Sequence, residues 1–312
     1  EPGFSAPVYE SDYPPFKSRC DVLLNGTAYA PTGSWAKRIT VGLQVGRFAK
    51  SFHVVGDRVW KKGAVSIQAS EPKPFKTIPI SYETAFGGID DSYKDPQKLR
   101  AYLKNPIGIG FHHHLQAEFV NGKPLPNTEE IGKPIMIPNG KYRPMSLGPI
   151  GRGWQPRTPL AGTYDQNWLD NIFPFLPPDF DNAYFQAAPP DQQVPFPQGG
   201  EPVYLANLTP EGKIGFPFPR VNLIVWFFLA NGEEKEERAP VDTVMFMPDD
   251  NIFTLTCRAS LPLKRNMFEV ELAVVGHDPH DKYKILPNEK ESFPLIDIDL
   301  GEDDIVEEIE VY

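Results

Sequence analysis

Apolar and polar residues alternate with a period of two along several stretches of this chain, which is the spacing that puts successive side chains on opposite faces of a strand. RITVGLQVG, residues 38–46, alternates cleanly, and CDVLLNGTAYAP, residues 20–31, comes close to the same pattern. FAKSFHVVGDRVW, residues 48–60, reads as a strand that runs to a break at Gly56-Asp57. After KKGAVSIQAS comes KTIPISYETAFGG, whose Gly87-Gly88 pair lets the chain turn sharply because glycine tolerates positive φ. A meander of strands to about residue 90 is predicted.

Beyond residue 200 the strand signal returns. VNLIVWFFLANGEEKEE is an apolar run ending on Asn231-Gly232, a strong hairpin dipeptide, and TVMFMPDDNIFTLTCRASLPL pairs two strands through an Asp249-Asp250-Asn251 turn. MFEVELAVVG follows as a further strand. GEDDIVEEIEVY, residues 301–312, is an acidic tail, read either as an edge strand or as a disordered end.

The pattern weakens between these regions. DPQKLRAYLKN predicts a short helix, with Asp95 as its N-cap and Pro96 at its first position. NPIGIGFHHH and the Gly/Pro-dense run from Gly122 to Trp154 predict an extended, packed segment without periodicity. The expected fold is mainly β: antiparallel sheets, sandwich-like or open barrel-like, with few short helices and long ordered Pro/Gly-rich loops. One large domain over residues 1–300 is expected, with β-rich halves at about 17–90 and 200–290 joined by the loop-rich segment 91–199.

Composition supports this reading: 35 prolines are too many for helix interiors, whereas 21 phenylalanines and 12 tyrosines suit strands. A net charge of -10 offers no excess positive potential to a phosphate backbone, so nucleic acid is not an expected partner. Two cysteines, Cys20 and Cys257, are far below the density of a disulfide-stapled secreted domain, and a reducing, cytoplasmic compartment is expected. No apolar run reaches the roughly 20 residues that cross a bilayer, so no membrane is expected. The chain begins at Glu1 rather than at methionine, as a trimmed chain would.

Several groups of residues suggest chemistry. In a strand, His112 and His114 would share a face as two metal ligands, but no third ligand stands at a recognisable spacing; His277 and His280 in GHDPHDKY are no stronger. Asp165, Asp179 and Asp181 could serve as acid–base carboxylates or calcium ligands, yet aspartate beside proline commonly closes turns, and Asp165 before QNWLDNIF suits a helix N-cap. No nucleophile elbow, P-loop or dinucleotide fingerprint occurs, so no cofactor, metal or catalytic residue is assigned.

The densest stretch is Trp154–Gln193. Arg157 could pair with Asp165, Asp179 or Asp181 and stack on Trp154 or Trp168, forming a rigid polar network; the alternative is a partner surface that also includes Tyr164. Arg58 and Trp60, in GDRVW, suggest a second group of this kind.

The run W-x-x-R-x-x-x-A-G-T-Y-D-x-x-W, followed by P-x-L-P-x-D-F-D and A-P-x-D-Q, resembles the bacterial DUF2169 family, a domain of unknown function. DVLLNGTAYAP, GDRVW, YETAFGG, NPIGIGF, LPNTE, GGEPVYLANLTPEG and VDTVMFMPDDNIFTLTCRA stand in the order this family has, so the resemblance covers about residues 17–260. One departure is Cys257, where the family pattern has tryptophan. The resemblance implies an adaptor or chaperone that loads a type VI secretion effector onto the spike protein, without chemistry of its own. Its implied partners are the effector and the spike. Two other classes are weighed beside it: a carbohydrate-active hydrolase using Asp165, Asp179 or Asp181, and a structural component of the secretion particle.

Overall fold

A computed structural model of the protein describes residues 14–264 and 267–276. His277, His280 and the acidic 301–312 stretch lie outside the described residues. The described residues are mainly β, as the periodicity predicts, with several antiparallel sheets and, among them, no closed barrel.

The N-terminal strands are β1 (Cys20–Leu24), β2 (Gly26–Tyr29), β3 (Arg38–Val45), β4 (Phe48–Val55) and β5 (Thr77–Ile80). Of the short strands in the middle of the chain, two join the main sheets, β6 (Thr128–Glu129) and β7 (Gln193–Val194). Then come β8 (Pro202–Ala206), β9 (Lys213–Pro217), β10 (Ile224–Leu229) and β11 (Glu234–Arg238). The last three are β12 (Val241–Met247), β13 (Ile252–Cys257) and β14 (Val270–Gly276).

Two sheets face each other across the main core. One has the order β7-β1-β12-β13 and the other β6-β4-β3-β8-β9, so strands from the two ends of the chain lie in the same sheets. Between them pack Cys20, Val22 and Leu24 of β1, Ile39, Val41, Leu43 and Val45 of β3, and Val244 and Phe246 of β12. This is sandwich packing, in which the inward side chain of every second residue supplies the core. Most pairings are antiparallel, but β1 runs parallel to β12, with Val22 opposite Val244 and Leu24 opposite Phe246. Smaller sheets flank the sandwich: β2 with β5, and the three-stranded β11-β10-β14.

Turn chemistry explains the hairpins. Gly232 sits at φ 83° between β10 and β11, and Asn251 at φ 55° between β12 and β13, both at positions the sequence marks as turns. Glycine and asparagine are the residues that enter the left-handed region at low cost.

The helix expected from Asp95 does not form. Only a single 3-10 turn, Pro96–Lys98, appears, although Asp95 does cap it by accepting from the Gln97 N–H; Arg100–Ala101 then pairs as a short strand with Ile89–Asp90. The six residues between the cap and Tyr102 offer only Leu99 and Ala101 as an apolar face, and strand pairing wins over propensity. The other predicted cap is present: Asp165 accepts from the Trp168 N–H at the start of α1 (Gln166–Asn171).

Candidate partner-binding surface

The central segment is held on the sandwich by buried polar contacts rather than by regular secondary structure. Both faces of β1 are covered, because its outward Leu23 packs with Met245, Met247, Ala187 and Ala188. Asp21 also points to that side. Its carboxylate, fully buried, accepts from Lys17 Nζ at 2.9 Å, from Gln186 Nε2 at 2.7 Å and from the Ala187 N–H at 2.7 Å. Three donors on one carboxylate satisfy a charge that would otherwise be expensive to bury.

The end of the same segment makes a second clasp. Gln192, fully buried, donates to the carbonyls of Val22 and Leu147 and accepts from Lys50 Nζ at 2.6 Å. Asp191 takes Lys50 at 3.1 Å and Arg143 at 2.7 Å. Burial pulls the Lys50 ammonium below its ordinary value, and Asp191 partly restores it. The A-P-x-D-Q motif is thereby explained as a docking device.

The sequence-selected residues divide into two sets. Arg157 is buried and donates through Nη1 to the carbonyl of Ile150 at 2.9 Å and through Nε and Nη2 to that of Tyr184, while its guanidinium lies 5.3 Å from the Tyr184 ring. Trp154 is buried edge-on against Tyr82 with ring centroids 5.2 Å apart. Arg58 pairs with Glu129 at 2.8 Å and donates to the carbonyl of Pro126; Trp60, fully buried, donates to the carbonyl of Gly110. These four are interior framework.

The aspartates lie at the surface, each on a neighbouring backbone group. Asp165 takes the Trp168 N–H at 2.8 Å, Asp181 the Ala183 N–H at 2.8 Å, and Asp179 the Thr163 N–H and hydroxyl. The Thr163 bonds hold the Asp179 carboxyl below its usual range. All three therefore act as caps and turn-closers. Arg157 is buried and Asp165 exposed, so the two do not make one interior network.

The histidine run does not form a strand: the nearest strand ends at Gly110. His113 and His114 meet edge-on at 5.0 Å, and burial pulls the half-buried His112 below its ordinary value. No group of three or more His, Cys, Asp or Glu is placed to hold a metal ion among the described residues. Cys20 is a free, buried thiol pushed far up by burial, and Cys257 is also free.

Of the apolar platform around Asp165 the sequence singles out only Tyr164. Leu169, Phe173, Phe175 and Leu176 are exposed together with Tyr164; Phe173 is 62% and Phe175 75% exposed. The platform is nonetheless ordered by local bonds. Trp168 stands edge-on to Tyr164 at 4.8 Å and to Phe173 at 5.5 Å, and its indole N–H donates to the Phe175 carbonyl at 2.9 Å. In sequence, FPFLPP passes for a packed apolar loop, and only exposure distinguishes it.

No helix among the described residues is long and apolar enough to cross a membrane. A family model described as uncharacterized protein conserved in bacteria, DUF2169, matches residues 1–258. No curated protein and no solved structure matches the chain.

Proposed function

We propose that this chain, which belongs to the bacterial DUF2169 family, is a protein-binding adaptor that holds a type VI secretion effector and presents it to the spike protein. The observation that carries a binding role is the platform of Tyr164, Leu169, Phe173, Phe175 and Leu176: five large apolar side chains within thirteen residues, left in solvent yet fixed in place by Asp165 and Trp168. Contiguous exposed apolar surface of this kind marks interaction sites, and aromatic side chains dominate their energetics. Prior ordering lowers the conformational entropy lost on binding. The secretion context rests on the resemblance set out above, and the net charge of -10 favours encounter with a partner of basic surface.

Co-expression of the tagged chain with an effector encoded beside it, followed by pull-down, tests the proposal. The variant Phe173→Asp/Phe175→Asp removes two exposed anchors, each worth about 2 kcal/mol if it is a hot spot. It is expected to lose the effector while melting at the wild-type temperature. Capture of neither effector nor spike by the wild type, or equal capture by the variant, overturns it.

A further inference from the structure

A second surface, on the sandwich itself, is built to take an extended strand. β9 closes one sheet and β13 the other, and among the described residues neither has a strand on its outer side. Between these two free edges lies an apolar cleft of about 240 Å³. Leu205, Ile214, Phe216, Phe246, Ile252 and Phe253 form its walls. Phe216 and Phe253 are stacked with centroids 5.7 Å apart, and Phe246 stands 5.8 Å from Phe253. A sandwich normally closes such an opening with its own side chains; here Phe246 is buried but Phe216 and Phe253 are left partly buried.

Thr209 supplies an independent sign of a missing ligand. It lines the cleft, is 4% exposed, and its hydroxyl is buried without a hydrogen-bond partner among the described residues. Buried polar atoms without partners are uncommon because each has given up its hydration with no hydrogen bond in return, so the site favours an occupant that brings a polar group. An open strand edge offers the same kind of vacancy in backbone N–H and C=O groups.

Charge selects among occupants. Pro248 and Asn251 form one end of the cleft, and the turn between them carries Asp249 and Asp250; Glu211 is two residues from Thr209. Asp249 is held at this end by the Thr27 and Tyr29 hydroxyls, each donating to it at 2.8 Å. Such an end favours a basic occupant over an acidic one. Residues 277–312 carry twelve carboxylates against three lysines, and residues 1–13 carry three carboxylates and no cation. A second copy of a chain with net charge -10 is disfavoured for the same reason.

We infer that the cleft between β9 and β13 binds an extended segment of a partner protein, which adds as a strand to a free sheet edge, seats one bulky apolar side chain among Phe216, Phe246 and Phe253, and places a basic residue beside Asp250 and Glu211. Backbone pairing supplies affinity and the side-chain pocket supplies selectivity, as in other strand-addition sites. The biological use of this site rests on the proposed adaptor role; the site itself does not. It lies on strands of the sandwich, away in sequence from α1 and the Phe173 platform, and can be tested without an effector.

The probe is a capped, fluorescent heptapeptide with lysine at both ends, phenylalanine at the centre and alternating threonine and valine between, titrated into the full chain by anisotropy. Saturable binding is expected, weakened about tenfold or more when the phenylalanine is replaced by alanine, since burying a large apolar side chain is worth about 1.5–3 kcal/mol. Ile252→Lys, at a half-exposed wall position, is expected to weaken it comparably without lowering the melting temperature. Glu211→Lys/Asp250→Lys should reverse the preference, so that a peptide ending in glutamates binds better than the lysine form. Thr209→Val should melt higher than wild type yet bind the peptide more weakly, a combination a purely structural threonine would not give. The inference is overturned by no saturation at about 1 mM peptide, by equal affinity for the alanine peptide, or by indifference to Ile252→Lys. Self-association abolished by Ile252→Lys also overturns it, by making a second copy the occupant. Peptide binding without effector capture would sink the adaptor role and leave the cleft standing, and the converse result would do the reverse.

Discussion

Removing the Asp21 carboxylate should unseat the central segment from the sandwich. In Asp21→Ala, Lys17 Nζ keeps its charge with its side chain only 4% exposed, and loses its 2.9 Å partner. Gln186 Nε2 and the Ala187 N–H lose acceptors at 2.7 Å at the same time. Breaking a buried ion pair from one side costs about 3–5 kcal/mol, and stranding a buried donor about 1–3 kcal/mol. These losses share one cavity and do not add, and Lys17 retains the Thr243 hydroxyl at 2.7 Å, so a total of about 4 kcal/mol is expected. At about 2.1 cal/mol/K of unfolding entropy per residue, that corresponds to a fall of about 6 °C in melting temperature for a chain of this size. Urea unfolding followed by tryptophan fluorescence measures it. Lys17→Met/Asp21→Leu removes both charges and should lie nearer to wild type than Asp21→Ala, because an apolar replacement of a buried pair avoids the stranded charge. A loss below about 1 kcal/mol in Asp21→Ala, or a double variant less stable than the single one, would refute the reasoning.

Two further outcomes follow from local geometry. Asp165→Ala removes the N-cap of α1 and should lower stability by about 1 kcal/mol, with a change in Trp168 emission that reports loosening of the platform before global unfolding in urea. Burial alone would raise the Asp90 carboxyl, but hydrogen bonds from the Ser92 hydroxyl and from the N–H groups of His114, Ser92 and His113 outweigh it and hold the carboxyl low. Its stabilising contribution is therefore present above the ordinary carboxylate value near 3.9 and is lost as pH falls below it. Asp90→Asn should be less stable at neutral pH and should show a shallower loss of stability in acid, read from urea midpoints at a series of pH values.

The sequence made legible what depends on neighbours in the chain. Alternation marked β3, Asn231-Gly232 marked the β10–β11 hairpin, and Asp165 announced its own helix, because period, turn and cap are properties of a few consecutive residues. Contacts across the chain were not legible. Asp21 meets Gln186 and Ala187 from 165 and 166 positions away, and nothing in CDVLL distinguishes an aspartate that anchors a distant loop from one that faces water. Arg157 was selected for its chemistry, but carbonyls of Ile150 and Tyr184 take its donors, and carbonyl groups are present at every residue and leave no trace in composition. Asp95 misled for a related reason: its cap signal is genuine, but pairing of Arg100–Ala101 with Ile89–Asp90 ended the turn after three residues.

The polar clasps and the apolar platform belong to one physical problem. A segment as rich in proline as Trp154–Gln193 cannot secure itself through a ladder of backbone hydrogen bonds, because each proline lacks a donor. Apolar packing through Trp154, Ala187 and Ala188 secures its two ends, but packing the middle in the same way would bury Phe173, Phe175 and Leu176, which are the side chains it exposes. Directional contacts solve this: Asp21, Gln192 and Arg157 hold the segment by a few buried polar atoms and leave Phe173 and Phe175 exposed. The same economy predicts where the protein tolerates change. Phe173 and Phe175 should accept polar substitution without loss of stability, whereas Gln192, with its amide shared among Val22, Leu147 and Lys50, should not.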